Sequence, residues 1–593
     1  MTRAASRPWL PIAGAPLALA MLALSLNFRW MGLDFDSGTL QHPDERFLVM
    51  LISQLSWPQS LGAYFDSASS PLNPYNAPGV TFYVYGNLPV FLGKAFTDLT
   101  APLTHFGLAS PGRILSALAD VGVLLTVFFL ARRLFDERTA WLATSLYGFM
   151  VLPIQLSHFF TVDPFLCLFL TLALARSVDL VRGGGVVSAA AMGGWWGCAL
   201  ASKLNALSFA AVVVAASWIV LRQRGWRNAL AVAALGLASA AAVFRILNPY
   251  AFDGILSLDP RFLNAFRILA DTHKVDAWFP PSFQWIGRTP LIYPLQNLAL
   301  FGVGLPVFMA AVAGTAMAAN RSWKQRDPAL ALVLVALVSL LASVAVAHVQ
   351  TMRYLLPAYP LLAIVAAYAL LTPWRGQAPS LWRALPAVAV VAATLCWALA
   401  FTAIYRAPLT RVAASKWIHE HLPAGAVIGV EHWDDALPLR MHGRDADKFE
   451  RVELEPVAPE TPEKREKLLQ QLGKIDYLVI ASERGYASVA RLPQSFPVAI
   501  RHYEMLFDGT AGFRLVADFT SYPRIGNWVI RDDFSEEAFR VYDHPRVLVY
   551  EKSPDFSLEN LATELRSLQL PQPAWNPQRG HGVHPLDPGR TRH

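Results

Sequence analysis

Apolar residues in this chain come in blocks about twenty residues long, and a helix of that length and composition belongs in a bilayer. Candidate stretches run near 10–30, 112–131, 139–157, 163–180, 186–201, 205–221, 229–247, 292–316, 328–347, 354–372 and 383–404. Within each block the apolar residues are continuous rather than periodic, which argues against surface helices and half-buried strands. Only 16% of the 593 residues are charged and 54% are hydrophobic, far from a soluble enzyme's balance. The expectation is a polytopic α-helical membrane protein with about eleven spans.

Three cysteines, Cys167, Cys198 and Cys396, lie inside apolar stretches, where they serve as small hydrophobes. They support neither a disulfide framework nor a cysteine-based metal site. The net charge of +7 does not signal nucleic acid, because the basic residues gather in short loops between spans. That is the pattern of cytoplasmic loops facing anionic lipid. Arg3 and Arg7 precede an apolar run from about Trp9 to Phe28. The run is long enough to span and shows no obvious small-residue cleavage site, so an uncleaved first helix is expected.

Sidedness follows from the basic loops. Arg132, Arg133 and Arg138, then Arg182, then Arg222, Arg224 and Arg227, then Arg321, Lys324 and Arg326, then Arg375 and Arg383 fall on alternate connections. The polar break Ser202-Lys203-Leu204-Asn205 divides 186–221 into two spans, and ignoring it would reverse everything downstream. With the break counted, the N-terminus is expected in the cytoplasm and the C-terminal region outside, in a bacterial-type inner membrane. The outer face then holds a first loop (31–110), the turn His158–Asp163, a Pro- and aromatic-rich loop (248–291) and everything after 405. Lys203 and His348–Arg353 reach the same face.

In the first loop, His42-Pro43-Asp44-Glu45-Arg46-Phe47 opens an interfacial helix, with Pro43 in its first turn and two carboxylates at the positive end of its dipole. A carboxylate pair beside a span is costly to desolvate and is by default a functional-site candidate; the plain alternative is a solvated loop. Pro71 to Gly86 mixes Pro, Gly and aromatics and can pack at headgroup level without spanning. Helix and loop together would roof a pocket where a lipid-linked substrate presents its headgroup.

After about residue 405 the composition is that of a soluble α/β domain, extending to 567 and followed by a Pro-, Gly-, Arg- and His-rich tail (568–593) expected to be disordered. A helix at 411–422, strands at 426–430, 477–480 and 547–550, and a charged helix near 461–473 are its predicted elements. Glu431-His432-Trp433-Asp434-Asp435 follows a strand, where α/β folds place ligands; a solvated loop or a helix cap is the other reading.

The outer-face residues carry a resemblance. Asp44-Glu45 after the first span, Leu156-Ser157-His158-Phe159-Phe160-Thr161-Val162-Asp163 opening the fourth, Ala201-Ser202-Lys203 after the fifth and Arg353-Tyr354-Leu355-Leu356-Pro357 opening the tenth resemble the GT-C membrane glycosyltransferases. Among these the pattern is most like the protein O-mannosyltransferase and aminoarabinose-transferase type, similar to glycosyltransferase family 39. The resemblance covers about residues 10–405 and implies a GT-C transmembrane catalytic domain over 1–404. It also implies transfer of a hexose or pentose from a polyprenyl-phosphate carrier to a hydroxyl acceptor, with inversion. The acceptor class, whether protein, lipid or cell-wall glycan, stays open.

Inverting transfer needs a base for the acceptor hydroxyl, and Asp44 is assigned that role; Glu45 would orient the acceptor or the helix. Positive charge must meet the departing phosphate. Arg353 comes first because guanidinium holds phosphate bidentately, then Lys203, then Arg288 in Trp285-Ile286-Gly287-Arg288. Arg353 and Lys203 also stand where cations snorkel from helix ends, and Arg288 has only its loop position. Asp163 matches an acidic residue that the resembling enzymes carry below the site; it could equally serve the helix dipole. His158 and His42 complete the substrate-binding candidates. His158 and His348 lie where they could join Glu45 at a divalent metal, but no spacing is diagnostic, so the metal requirement is open and no ligand is assigned. A transporter or flippase of lipid-linked sugar is the main rival, and a non-catalytic scaffold the third reading. The first predicts internal symmetry and mid-membrane charges; the second gives no reason for charged residues from separate spans to converge.

Overall fold

A computed structural model describes residues 15–100, 109–274, 277–374, 380–441, 443 and 446–571. Arg3, Arg7, the start of the first apolar run, Arg375 and the tail from 572 onward lie outside the described residues. The chain forms two units. The first comprises Met1–Leu33, Asp44–Phe266 and Pro290–Thr402; the second comprises Asp34–Pro43, Arg267–Thr289 and Ala403–His593.

Among the described residues the regular elements of the first unit are helices, and they occupy the apolar stretches expected to span, the first of them from Ala15 onward. By length and composition seven described helices qualify as spans, among them Pro111–Leu134, Asp163–Val181, Pro328–Ala345 and Met352–Trp374. The helices Glu137–Gly148 and Val151–Ser157 meet at a 59° bend and make an eighth if taken as one crossing. Val186–Leu200 is apolar but only 15 residues long. The polytopic expectation therefore holds, while the count of eleven is not reproduced by helix length and composition.

Small residues let these helices approach closely. A Cβ on Gly193 would lie 2.1 Å from the carbonyl oxygen of Gly236, and one on Gly314 would lie 1.9 Å from that of Val365. A buried polar knot secures the bend at Gly148. Arg29, fully buried in the helix Ala15–Trp30, donates from Nε to Asp120 at 2.5 Å and from Nη1 to the carbonyls of Ser25 and Gly148 at 2.8 and 2.9 Å. The Tyr147 hydroxyl donates to the same Asp120 carboxylate. The guanidinium thus satisfies a carbonyl that the helix break releases, in a place where no water can.

The second unit is built on a five-stranded sheet in the order β2-β1-β3-β7-β4, with β1 Val427–Glu431, β2 Glu450–Leu454, β3 Tyr477–Ile480, β4 Phe513–Phe519 and β7 Val547–Lys552. β1 pairs in parallel with β2 and β3; β7 runs antiparallel to β3 and β4. β5 Arg524–Ile525 and β6 Trp528–Val529 form a separate hairpin. The expected helices are present at Thr410–His421 and Pro462–Lys474. The α/β expectation for the C-terminal region therefore holds. The segment 267–289 adds to this core, where Phe283 packs 5.8 Å from Phe496, centroid to centroid.

The acidic cluster after β1 is mostly built into the fold. Arg411, 1% exposed, donates to Asp434 at 2.5 Å and Asp435 at 2.8 Å. Glu431, also buried, accepts the Tyr503 hydroxyl at 2.5 Å. Burial pushes its carboxyl up to about 8, with the Tyr503 bond opposing the shift. His502 beside it is pushed down to about 4 by burial and the nearby Lys464 charge.

A stability prediction follows from Glu431. A carboxyl raised from 4.5 in the unfolded chain to about 8 in the fold contributes fully below pH 4.5, and that contribution disappears as pH climbs through about 8. The second unit should lose a few kcal/mol between pH 5 and 9 from this group. Thermal melting of the purified full chain followed across that range should show a falling midpoint, and Glu431→Gln should flatten the slope. An unchanged slope in the variant would assign the pH dependence elsewhere.

Candidate active site

In the first unit, four helix ends bring their charges together. The helix Pro43–Gln54 starts with Pro43, a residue that costs no hydrogen bond in a first turn, and places Asp44 and Glu45 at its positive end. Its buried face is Glu45, Leu48, Leu51 and Ile52, so the two neighbouring carboxylates point to different surroundings. Asp163 is the first residue of Asp163–Val181, Lys203 caps the 3-10 turn Leu204–Phe209, and Arg353 lies in the 3-10 turn Met352–Ala358.

These residues form one line of alternating charge. Arg353 Nη1 donates to Asp44 at 2.8 Å and its Nε stands 3.7 Å from Asp163. Lys203 donates to the other Asp163 oxygen at 2.8 Å. Asp44 and Arg353 keep about a fifth of their side-chain surface exposed, whereas Asp163 is buried. Two aromatic residues flank the line. The Tyr354 ring lies 4.5 Å from the Lys203 ammonium, within cation–π range. Tyr85 donates its hydroxyl to Asp44; burial, and then the Asp44 charge, hold that phenol far above its ordinary range, so it remains a donor.

Glu45 faces inward instead. It is fully buried and receives two bonds from Arg113, Nε to Oε1 at 2.8 Å and Nη2 to Oε2 at 2.7 Å. The backbone N–H of Phe160 also donates to Oε1, at 3.0 Å. Glu45 thereby ties the helix carrying Asp44 to the turn that leads into Asp163, three residues after Phe160. The aromatic loop is fixed to the lysine end by main chain. Gly86 N donates to Ser202 O at 2.9 Å and Leu88 N to Ala201 O at 3.0 Å. A Cβ on Gly86 would lie 1.9 Å from the Ala201 carbonyl oxygen, so only glycine permits this approach next to Lys203.

The remaining candidates sit elsewhere. His158 is buried, its ring nitrogens 2.8 and 2.9 Å from the carbonyl oxygens of Ile154 and Met31. His42 and Arg288 belong to the second unit, where the His42 ring lies 4.3 Å from Tyr542 and the Arg288 amide donates to Trp285 O. Among the described residues no three His, Cys, Asp or Glu side chains gather to hold a metal. Arg113 escapes the sequence reading, while Tyr85, Tyr354 and Gly86 enter it only inside longer motifs, with no role of their own. Arg113 carries the one usable signal, a cation in the first turn of an apolar helix, which its dipole disfavours and which therefore asks for a carboxylate.

The comparisons with known proteins agree with the resemblance. Residues 89–247 match the family model described as dolichyl-phosphate-mannose-protein mannosyltransferase, a stretch that includes Arg113, Asp163 and Lys203. The chain is similar to the ArnT structure from Cupriavidus metallidurans bound to undecaprenyl phosphate, at 14% identity, TM-score 0.49, over 91% of this chain and 99% of that one. It is also similar to the oligosaccharyltransferase AglB from Archaeoglobus fulgidus in complex with an inhibitory peptide and a dolichol-phosphate, at 13% identity, TM-score 0.47, over 91% and 89%. The mycobacterial arabinofuranosyltransferase AftD gives 15% identity and TM-score 0.39, over 92% of this chain and 42% of that one. No curated protein sequence matches the chain. The family-model match over 89–247 bears out the resemblance to membrane glycosyltransferases.

The buried Glu45–Arg113 pair makes a direct prediction. Glu45→Gln keeps the shape but leaves Arg113 without its counter-charge, and removing one member of a buried pair costs about 3–5 kcal/mol. The melting midpoint of the purified protein should fall accordingly. The double change Glu45→Gln with Arg113→Met should recover part of the loss; a double variant as unstable as the sum of its singles would rule out direct coupling.

Proposed function

We propose that this protein transfers a sugar from a polyprenyl-phosphate carrier to a hydroxyl acceptor on the outer face of the membrane, inverting the anomeric carbon. The observation that carries the reading is the line Asp44–Arg353–Asp163–Lys203, in which a part-exposed carboxylate and two cations from separate helix ends meet. Acidic and basic groups gathered in this way serve a substrate that gives up a proton at one end and develops negative charge at the other.

The elements that carry or follow these charges, together with the helix Pro328–Ala345, line a small, mostly apolar crevice. Leu170, Leu174, Phe209, Pro357 and Leu361 are among its walls, on the elements that begin with or follow Asp163, Lys203 and Arg353. A cationic head and an apolar crevice on shared elements suit an amphiphile whose phosphate stays at the surface and whose hydrocarbon chain enters the bilayer.

In this reading Asp44 accepts the proton as the acceptor oxygen attacks the anomeric carbon. The bond from that carbon to the phosphate oxygen breaks, and the electron pair leaves with the phosphate, where Arg353 and Lys203 meet it. Asp163 holds both cations in place. Tyr85, bonded to Asp44, orients the base. A donor phosphate that draws Arg353 to itself would release Asp44 from its ion pair, so donor binding and activation of the base are linked. Glu45 positions the helix. His158, His42 and Arg288 are further substrate-binding candidates in this reading, on their sequence positions alone.

Transfer from a panel of radiolabelled polyprenyl-phosphate sugars, assayed in membranes, tests the assignment. Asp44→Asn should insert normally and lose activity by about 10²–10⁴-fold. Arg353→Lys keeps the charge but not the bidentate fork and should weaken donor binding while Asp44 still functions. Normal transfer by a well-inserted Asp44→Asn protein would sink Asp44 as the base.

A further inference from the structure

The hairpin β5–β6 carries apolar residues on the surface of the second unit. Its strands pair Arg524 with Val529 and Ile525 with Trp528 around the turn Gly526-Asn527, and Gly526 takes the positive φ of 57° that such a turn requires. Its apolar residues face outward: Trp528 is 68% exposed, and Ile525, Val529 and the nearby Phe534 are exposed too. Arg524 and Arg531 flank them, also exposed. A two-stranded ribbon of this size has no stability of its own in water, yet this one is fixed at its base. Ile530 N donates to Pro523 O at 2.8 Å, and the Tyr522 hydroxyl donates to Asp533 at 2.8 Å.

The base is tied in turn to the place where the chain leaves its last apolar helix. Tyr405 lies in the turn Ala403–Arg406, directly after Leu381–Thr402. Its hydroxyl donates to Asp543 at 2.8 Å; Asp543 bonds His544, and His544 Nε2 bonds Asp532 at 2.8 Å, all of them buried. The two carboxylates hold the imidazole up at about 10, against the effect of burial, so it is a cation between two anions. β5 itself packs against Ala403–Arg406. The buried relay and the packing of β5 therefore fix the hairpin to the residues that follow an apolar helix long enough to span a membrane.

We propose that the hairpin Arg524–Val529 is a membrane-surface anchor whose occupant is the anionic lipid of the bilayer this chain spans. Ile525, Trp528 and Val529 enter the headgroup–acyl boundary, which indole rings favour, and Arg524 and Arg531 take lipid phosphates. Tethering here would hold the second unit to the surface through a contact independent of the chain connection. Anchoring of this kind does not depend on the transfer reaction.

A nitroxide placed in the exposed turn tests it. Asn527→Cys, in the full chain with Cys198→Ser and Cys396→Ser, is labelled and reconstituted into discs of phosphatidylcholine containing a quarter phosphatidylglycerol. Collisions with lipid-soluble oxygen and with a water-soluble nickel chelate are then compared with those of the same label at Glu559→Cys, exposed on the helix Leu558–Ser567. The expected result is an oxygen-to-nickel ratio several-fold higher at Asn527→Cys, reduced in pure phosphatidylcholine and by Arg524→Glu with Arg531→Glu. Equal ratios at the two positions would show a hairpin facing water and overturn the proposal. A label shielded from both reagents would show a protein surface covering the hairpin, a second copy included, and overturn it as well.

Discussion

Arg353 between two carboxylates is the interaction on which the outer end of the first unit depends. Its guanidinium reaches Asp44 and Asp163 together, and those aspartates begin two different helices separated by more than a hundred residues of chain. Each carboxylate alone would repel the other, because like charges this close raise the cost of ionising both. The cation turns that repulsion into attraction, and Lys203 repeats the arrangement on the far side of Asp163. The charged line is thus a structural joint before it is anything else. It also leaves Asp44 part-exposed, which a purely structural pair would not need.

Two supports make the joint rigid. Glu45 occupies the buried side of its helix and holds both Arg113 and the amide of Phe160, fixing the angle at which Asp44 is presented. Burying such a pair is weak evidence for net stability but strong evidence for register, since the desolvation cost is repaid only when the geometry is met. Gly86 fixes the other side, where two main-chain hydrogen bonds bring the aromatic loop against Ala201 and Ser202. Main-chain bonds have no rotamers, so Lys203 is presented with little freedom.

Much of this was legible in the sequence, for identifiable reasons. Asp44, Asp163, Lys203 and Arg353 were readable because each interrupts or borders a long apolar run, where a charge stands out. Their placement on one face was readable because basic loops alternate. Arg29 and Asp120 are not readable in this way: each is an isolated polar residue in an apolar stretch, and only the bend at Gly148 supplies the carbonyl that explains the arginine. Arg113 does not stand out in the sequence, because a cation near a span end has an ordinary explanation in lipid headgroups. In the second unit, strands β1, β3 and β7 were visible as apolar runs, since they are the inner strands of the sheet. β2 (Glu-Arg-Val-Glu-Leu) and β4 are its edges, and edge strands carry charges that keep them from pairing with other chains, so their sequences do not read as strands. Nor does any local pattern reveal that 34–43 and 267–289 join the second unit, because that association is made by contacts distant in sequence.

The same charge arithmetic bears on what the site can bind. Asp44 and Asp163 supply two negative charges, Arg353 and Lys203 two positive ones, so the line is balanced as it stands. A neutral ligand would have to break an ion pair without returning a charge, leaving a part-buried cation or anion uncompensated at a cost of several kcal/mol. A phosphate replaces the carboxylate it displaces, so the cations stay neutralised and the released Asp44 moves toward solvent, where its own charge is tolerated. Under the proposed function, a balanced line of this kind would favour an anionic ligand before any contact with a sugar is made. The carboxylate such a ligand would release is the one at the exposed end, because Asp163 is buried and retained by Lys203.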